Sequence, residues 1–119
     1  VKSLRRKAVK VEELVEFEEF RLLNEGNNLK REISVPYCCD LLSIAMSKMP
    51  ENAVWITVMA NINTLAVAAL AEAACVILAE GSRLDEPAII KAKEQGITVF
   101  YTDQPVFEAA LLVYKKLNA

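Results

Sequence analysis

Eight residues fall where three loops would follow three strands. They are Asn61, Asn63 and Thr64 in the first loop, Gly81, Ser82 and Arg83 in the second, and Thr102 and Asp103 in the third. Their side chains are amides, hydroxyls, one carboxylate and one guanidinium. Such a set can hold a small anionic or nucleotide-like ligand, with Arg83 supplying charge and Asn63, Thr64 and the following amides supplying donors to oxygens. The same residue types cap helices and form turns, so every position carries a structural reading beside the ligand one. Acid–base chemistry by paired carboxylates would draw on Glu80, Asp103 and Asp40, the acids near strand ends, and nothing in their spacing favours it.

Reaction motifs are absent from the sequence. With three glycines, Gly26, Gly81 and Gly96, neither a GxxxxGK[ST] phosphate loop nor a GxGxxG fingerprint can be built, and there is no GxSxG elbow. The chain has no histidine, which excludes Ser-His and Cys-His dyads. Three cysteines without CxxC spacing argue against a zinc site. Cys75 sits in an apolar run and reads as a small core residue. Cys38 and Cys39 are adjacent, so in an extended segment they alternate faces and at most one is buried. A redox role for the exposed one would need a neighbouring base or cation to stabilise the thiolate, and none is near in sequence. The expectation is a non-enzyme without metal or cofactor.

The elements that must position these loops are legible from Ala53 onward. Ala53–Met59 reads as a strand, Leu65–Glu72 as a helix, Cys75–Ala79 as a strand, Asp85–Gln95 as a helix, Gly96–Tyr101 as a strand and Val106–Lys116 as a helix. Nearly continuous apolar strands alternating with single helices predict an α/β domain, a mostly parallel sheet with helices on both faces. Ligand sites in such sheets lie at the loops after the strands. Asp85 is expected to cap its helix and Gly96 to end it. Thr102 or Asp103 is expected to cap the last helix, with Pro105 in its first turn.

The first half is less regular. Val11–Phe20 reads as a helix with Val11, Leu14 and Val15 marking the period, and Leu4 and Ala8 would extend it backwards. Phe20–Leu23 is either the end of that helix or a short strand. Asn24–Asn28 is a turn, and Ile33–Tyr37 is extended, with Pro36 placing it at a sheet edge or entrance. Asp40 is expected to cap a helix Leu41–Lys48 that buries Leu41, Leu42, Ala45 and Met49.

Length allows one domain: a basic extension or helix start over residues 1–10, and a single α/β domain over 11–119. The first ten residues hold five of the fourteen cations and no acid, which leaves a body of nine cations against sixteen acids. An acidic body argues against a nucleic-acid surface. Hydrophobic residues make up 54%, yet no charge-free run approaches the roughly 18 residues of a membrane helix. The cationic start runs into acidic residues and not into an apolar core, so the expected compartment is the cytoplasm. So high an apolar fraction in a small domain also predicts a homo-oligomer.

From about Val9 onward the chain resembles the DRTGG domains, which look like the N-terminal domain of HPr kinase/phosphorylase. The matching pieces are Tyr37-Cys-Cys-Asp40-Leu-Leu-Ser43, Val54-Trp-Ile-Thr57, Asn63 with Ala66-Val-Ala68, Gly81-Ser-Arg83, Gly96-Ile97 and Phe107-Glu-Ala109. The resemblance implies a non-catalytic regulatory or ligand-sensing module, of a kind fused elsewhere to phosphotransacetylase, CBS or kinase partners. In HPr kinase the phosphate loop belongs to a separate domain that has no counterpart in this sequence. Two departures stand out: Lys30–Tyr37 lacks the glycine pair that gives the family its name, and Asn61 stands where relatives place a histidine. A small enzyme using a carboxylate or cysteine at the strand ends (Asp103, Glu80 or Cys39), and a purely structural interaction domain, are the alternatives.

Overall fold

The computed structural model describes residues 8–119. They build one five-stranded sheet in the order β1-β5-β4-β3-β2. The strands are β1 (Arg21–Asn24), β2 (Pro36–Cys38), β3 (Val54–Thr57), β4 (Cys75–Leu78) and β5 (Val99–Tyr101). β2, β3, β4 and β5 run parallel, and β1 joins the β5 edge antiparallel. The helices are α1 (Leu42–Lys48), α2 (Ile62–Leu70), α3 (Glu86–Gln95) and α4 (Val106–Leu117). The expected α/β architecture, with helices on both faces, is what the chain adopts.

Alternation along the strands explains the layers, because successive side chains of a strand point to opposite faces. Trp55, Val76, Leu78 and Val99 pack with Ala45 and Met49 of the α1 segment, Leu65 and Ala68 of α2, and Ala88 and Ala92 of α3. Val54, Ile56, Cys75, Ile77 and Phe100 face the other way, onto Ala109, Val113 and Leu117 of α4 and onto Val11 and Leu14. Both faces of β3 and β4 are therefore buried, which is why these strands lack a polar alternation. Trp55 is fully buried, and its indole N–H donates to the Cys39 carbonyl at 3.0 Å, so no polar atom is stranded.

Several local expectations hold, and others are corrected. Asp85 accepts from the Ala88 amide at 3.0 Å, and Gly96 closes α3 at φ +67°. The Gly26 turn and the edge position of Pro36 also hold. The helix expected over Val11–Phe20 is only a 3₁₀ segment, Val11–Glu16. The amides of Val11 and Glu12 donate across to the carbonyls of Arg31 and Leu29, the Lys10 amide is taken by the Glu13 carboxylate, and Phe17 is already extended. Val15 is exposed there, and Phe20 leads into a strand, β1. Ala8–Lys10 is not helical, and Leu4 and the basic residues Lys2, Arg5, Arg6 and Lys7 lie outside the described residues.

Asp40 does not cap α1. Its carboxylate accepts from the Thr57 hydroxyl at 2.6 Å and the Val58 amide at 3.0 Å, tying the end of β2 to the end of β3. Leu41 becomes the α1 cap position and is 56% exposed, not part of the buried stripe. Neither Thr102 nor Asp103 caps α4, whose cap position is Pro105; the Thr102 hydroxyl accepts from the Gln104 amide at 3.1 Å and tightens the loop before it.

Candidate functional site

Consecutive neighbours β2 to β5 leave no reversal of strand order among the parallel strands, so the usual crevice at a topological switch point does not arise. The change of direction occurs at the β5 edge. β1 is antiparallel there, with Arg21 opposite Tyr101, so the residues entering β1 meet those leaving β5. A cleft of about 160 Å³ opens at that place. Its walls are Glu18, Glu19 and Arg21 on one side and Arg83, Thr102, Asp103 and Gln104 on the other.

The β4 and β5 loops are stitched together. The Glu80 amide donates to the Gln104 carbonyl and the Gly81 amide to the Thr102 carbonyl, each at 3.0 Å. Glu80 and Gly81 both have positive φ, 58° and 73°, and this left-handed pair turns the chain so that Arg83 comes over Tyr101. The guanidinium carbon lies 4.2 Å from the Tyr101 ring centroid, a cation–π contact that restricts Arg83 without consuming its N–H donors. Asp103 Oδ1 lies 3.4 Å from where a β-carbon on Gly81 would stand, so the two loops are in contact at this point.

The eight residues singled out in the sequence divide into three groups. Arg83, Thr102 and Asp103 share the cleft wall. Gly81 and Ser82 belong to the stitched loop that carries Arg83, and the Ser82 amide is held by the Ala79 carbonyl. Asn61, Asn63 and Thr64 sit at the start of α2 and do not line the cleft. There the Asn61 side chain accepts from the amides of Asn63 and Thr64 at 2.9 and 3.1 Å, a helix cap. The Thr64 hydroxyl is buried and donates to the Met59 carbonyl at 2.7 Å. Asn63 is exposed.

Sequence reasoning missed Glu18, Glu19, Arg21 and Tyr101. Their membership follows from the pairing of β1 with β5, and no local signal in a four-residue strand names its partner. The cleft thus combines two guanidiniums with three carboxylates, Glu18, Glu19 and Asp103. It offers donors to anionic oxygens and acceptors to hydroxyl or amino groups at close range.

Cysteine chemistry is placed elsewhere. Cys75 is buried in β4, and burial drives its thiol far above the ordinary value. Cys38 is exposed on β2, yet partial burial of the sulfur, then the Asp40 carboxylate and then Cys39, raise its pKa as well. Cys39 packs toward the α1–α3 layer, and its Sγ donates to the Leu41 carbonyl at 3.4 Å. No group of three metal-ligating side chains occurs among the described residues. No helix among them is long and apolar enough to cross a membrane.

Fold and cleft together define a small α/β domain with a mixed-charge cleft at the carboxyl end of its sheet. No family profile matches the sequence, and no curated protein matches it. Among solved structures it is similar to the crystal structure of the CBS and DRTGG domains of the regulatory region of Clostridium perfringens pyrophosphatase, complexed with its activator diadenosine tetraphosphate. The TM-score is 0.69 at 15% identity, over 92% of this chain and 47% of that one. The chain therefore spans about half the length of that regulatory region. At this identity the likeness establishes the fold, which is DRTGG-like; the resemblance to HPr kinase rests on the sequence motifs alone.

Proposed function

We propose that this chain is a non-catalytic, cytoplasmic regulatory module that senses a small anionic, nucleotide-like ligand and acts by binding and self-association. The observation that carries the reading is the cleft where Arg83, restrained on Tyr101, and Arg21 converge with Thr102, Asp103 and Gln104. Arginine donors suit phosphate oxygens, while the flanking carboxylates suit the hydroxyl and amino donors of a nucleoside. A bare anion would meet three carboxylates against two guanidiniums, so a ligand with both donor and acceptor groups fits better. At about 160 Å³ the cleft is smaller than the about 300–1,000 Å³ of typical small-molecule pockets, so it takes the charged end of a ligand and leaves the rest outside.

The similar regulatory region carries a nucleotide activator, which supports a nucleotide-like ligand here without assigning it. Free cysteines at 38, 39 and 75 fit a reducing compartment. The acidic body fits neither nucleic acid nor an anionic membrane as partner.

The test is a thermal-shift panel of nucleotides, dinucleotides and phosphorylated metabolites. A compound at a hundred times its dissociation constant stabilises the folded state by about 2.7 kcal/mol, roughly a 10 °C rise for a chain of this size. Arg83→Ala is expected to abolish that rise while lowering the unliganded melting temperature by only about 2–4 °C, the loss of an exposed cation–π contact on Tyr101. A panel without a shift refutes the reading, as does a shift that survives Arg83→Ala.

A further inference from the structure

α4 is amphipathic, but its outward face is not polar. Ala109, Val113 and Leu117 are buried against the sheet, whereas Phe107 and Tyr114 are 68% and 54% exposed. Phe107 and Tyr114 are two turns apart and stand on one stripe with Ala110 and Leu111 between them. Together with Pro36 and Cys38 of the edge strand β2 they line an open groove of about 390 Å³ that is almost wholly apolar. Beyond Leu111 the surface changes character: Glu108 and Lys115, also two turns apart, flank a second, smaller hollow that Leu111 shares.

We propose that this face of α4 docks a second copy of the chain, the two α4 helices packing antiparallel about a two-fold axis near Leu111. This rests on the self-association part of the proposed function and names its surface. Two features single out a second copy. The charges are self-complementary: reversing the helix about a point between Leu111 and Leu112 lays Glu108 against Lys115 of the partner and Lys115 against the partner's Glu108, as an isologous interface requires. The apolar stripe is self-complementary about a point one residue away, between Ala110 and Leu111, where Phe107 meets the partner's Tyr114. The two centres differ by about 1.5 Å of helix rise, which the long Glu108 and Lys115 side chains span. The small Ala110 lets the helices approach to the usual about 8–10 Å.

Extension of the sheet through β2 is the competing mode for a second copy. β2 has only three residues, and Pro36 removes one of its amide donors, so this edge is poorly suited to strand pairing. Packing through α4 uses side chains and needs no backbone donor from that edge. Four side chains of α4 and two residues of β2 line the patch, far fewer than the about 20–30 residues a side of a standard interface, so the dimer is concentration-dependent and exchanges.

The experiment is sedimentation equilibrium of the full chain over a wide concentration range, at low salt. Phe107→Glu and Tyr114→Glu, both at exposed positions, are expected to weaken the dimer about tenfold or more. Glu108→Lys alone and Lys115→Glu alone each place like charges across the axis twice and weaken it about threefold. The double variant Glu108→Lys/Lys115→Glu restores the wild-type constant. A dimer indifferent to Phe107→Glu and Tyr114→Glu, or single charge changes that the double variant does not rescue, overturns this interface while self-association stands. A monomer throughout overturns the interface and self-association together, and leaves ligand sensing to the thermal-shift panel.

Discussion

Asn61 offers the sharpest separation between a structural role and a ligand role. Its side chain is the acceptor for two of the open amides of α2, those of Asn63 and Thr64. Asn61→Ala removes that acceptor. The Thr64 amide retains a bond to the Asn61 carbonyl at 3.1 Å, and the exposed Asn63 amide can turn to water. The loss therefore falls at the middle of the capping range, about 1 kcal/mol and not 2. For 119 residues the unfolding entropy is about 250 cal/mol/K, so the melting temperature drops by about 4 °C. Asn61→Asp keeps the acceptor and adds a negative charge at a helix N-terminus, so its stability equals or exceeds wild type. The assay is thermal unfolding followed by the lone tryptophan, Trp55, whose full burial makes its emission a reporter of the core. Both variants are expected to keep the ligand-induced shift, because Asn61 lies outside the cleft. Equal destabilisation by alanine and aspartate would refute the cap argument. Loss of the ligand shift in Asn61→Ala would return Asn61 to the binding set.

Two glycines with left-handed backbones are expected to respond differently to alanine. At Gly26 a β-carbon would stand 2.6 Å from the Gly96 carbonyl oxygen and 2.7 Å from the Thr98 nitrogen, both backbone, so Gly26→Ala must displace the β1–β5 edge and cost about 3 kcal/mol or more. At Gly96 the obstacle is the exposed Asn27 side chain, which can swing away, and Gly96→Ala costs only the left-handed strain of about 1–2 kcal/mol. Urea unfolding midpoints check the order, and a Gly96 variant less stable than the Gly26 one contradicts it. The raised pKa of Cys38 means a smaller thiolate fraction at neutral pH, so iodoacetamide should label it more slowly than free cysteine, with the rate climbing only above the ordinary thiol range. Labelling at pH 7.5 as fast as free cysteine would contradict the causes given. Cys75, buried in β4, should label only on unfolding.

Much of this protein was legible residue by residue. The β3-α2-β4-α3-β5-α4 succession showed because each strand is apolar on both faces and each helix carries local start or stop residues, such as Asp85 and Gly96. Asn61 and Thr64 were visible as polar residues at a strand end, but a capping amide and a ligand-binding amide have the same sequence signature. Asp40 was misplaced for a related reason: its carboxylate could serve the next helix or the next strand, and the buried Thr57 hydroxyl at 2.6 Å decided for the strand. The helix expected at Val11–Phe20 gave way because its first amides found better-placed carbonyls at Leu29 and Arg31, far enough along the chain to escape any periodicity count.

The sequence by itself determined the α/β class, the loops in which a ligand could sit, and the lack of histidine and phosphate-loop chemistry. These depend on residue type and short-range spacing, which act before the chain is compact. Only the tertiary structure decided which of those loops share a cleft. Pairing of β1 with β5 is a long-range choice, made by the burial of Phe20 and Phe100 in one core, and it brought Glu18, Glu19 and Arg21 to Arg83, Thr102 and Asp103 while leaving Asn61, Asn63 and Thr64 apart.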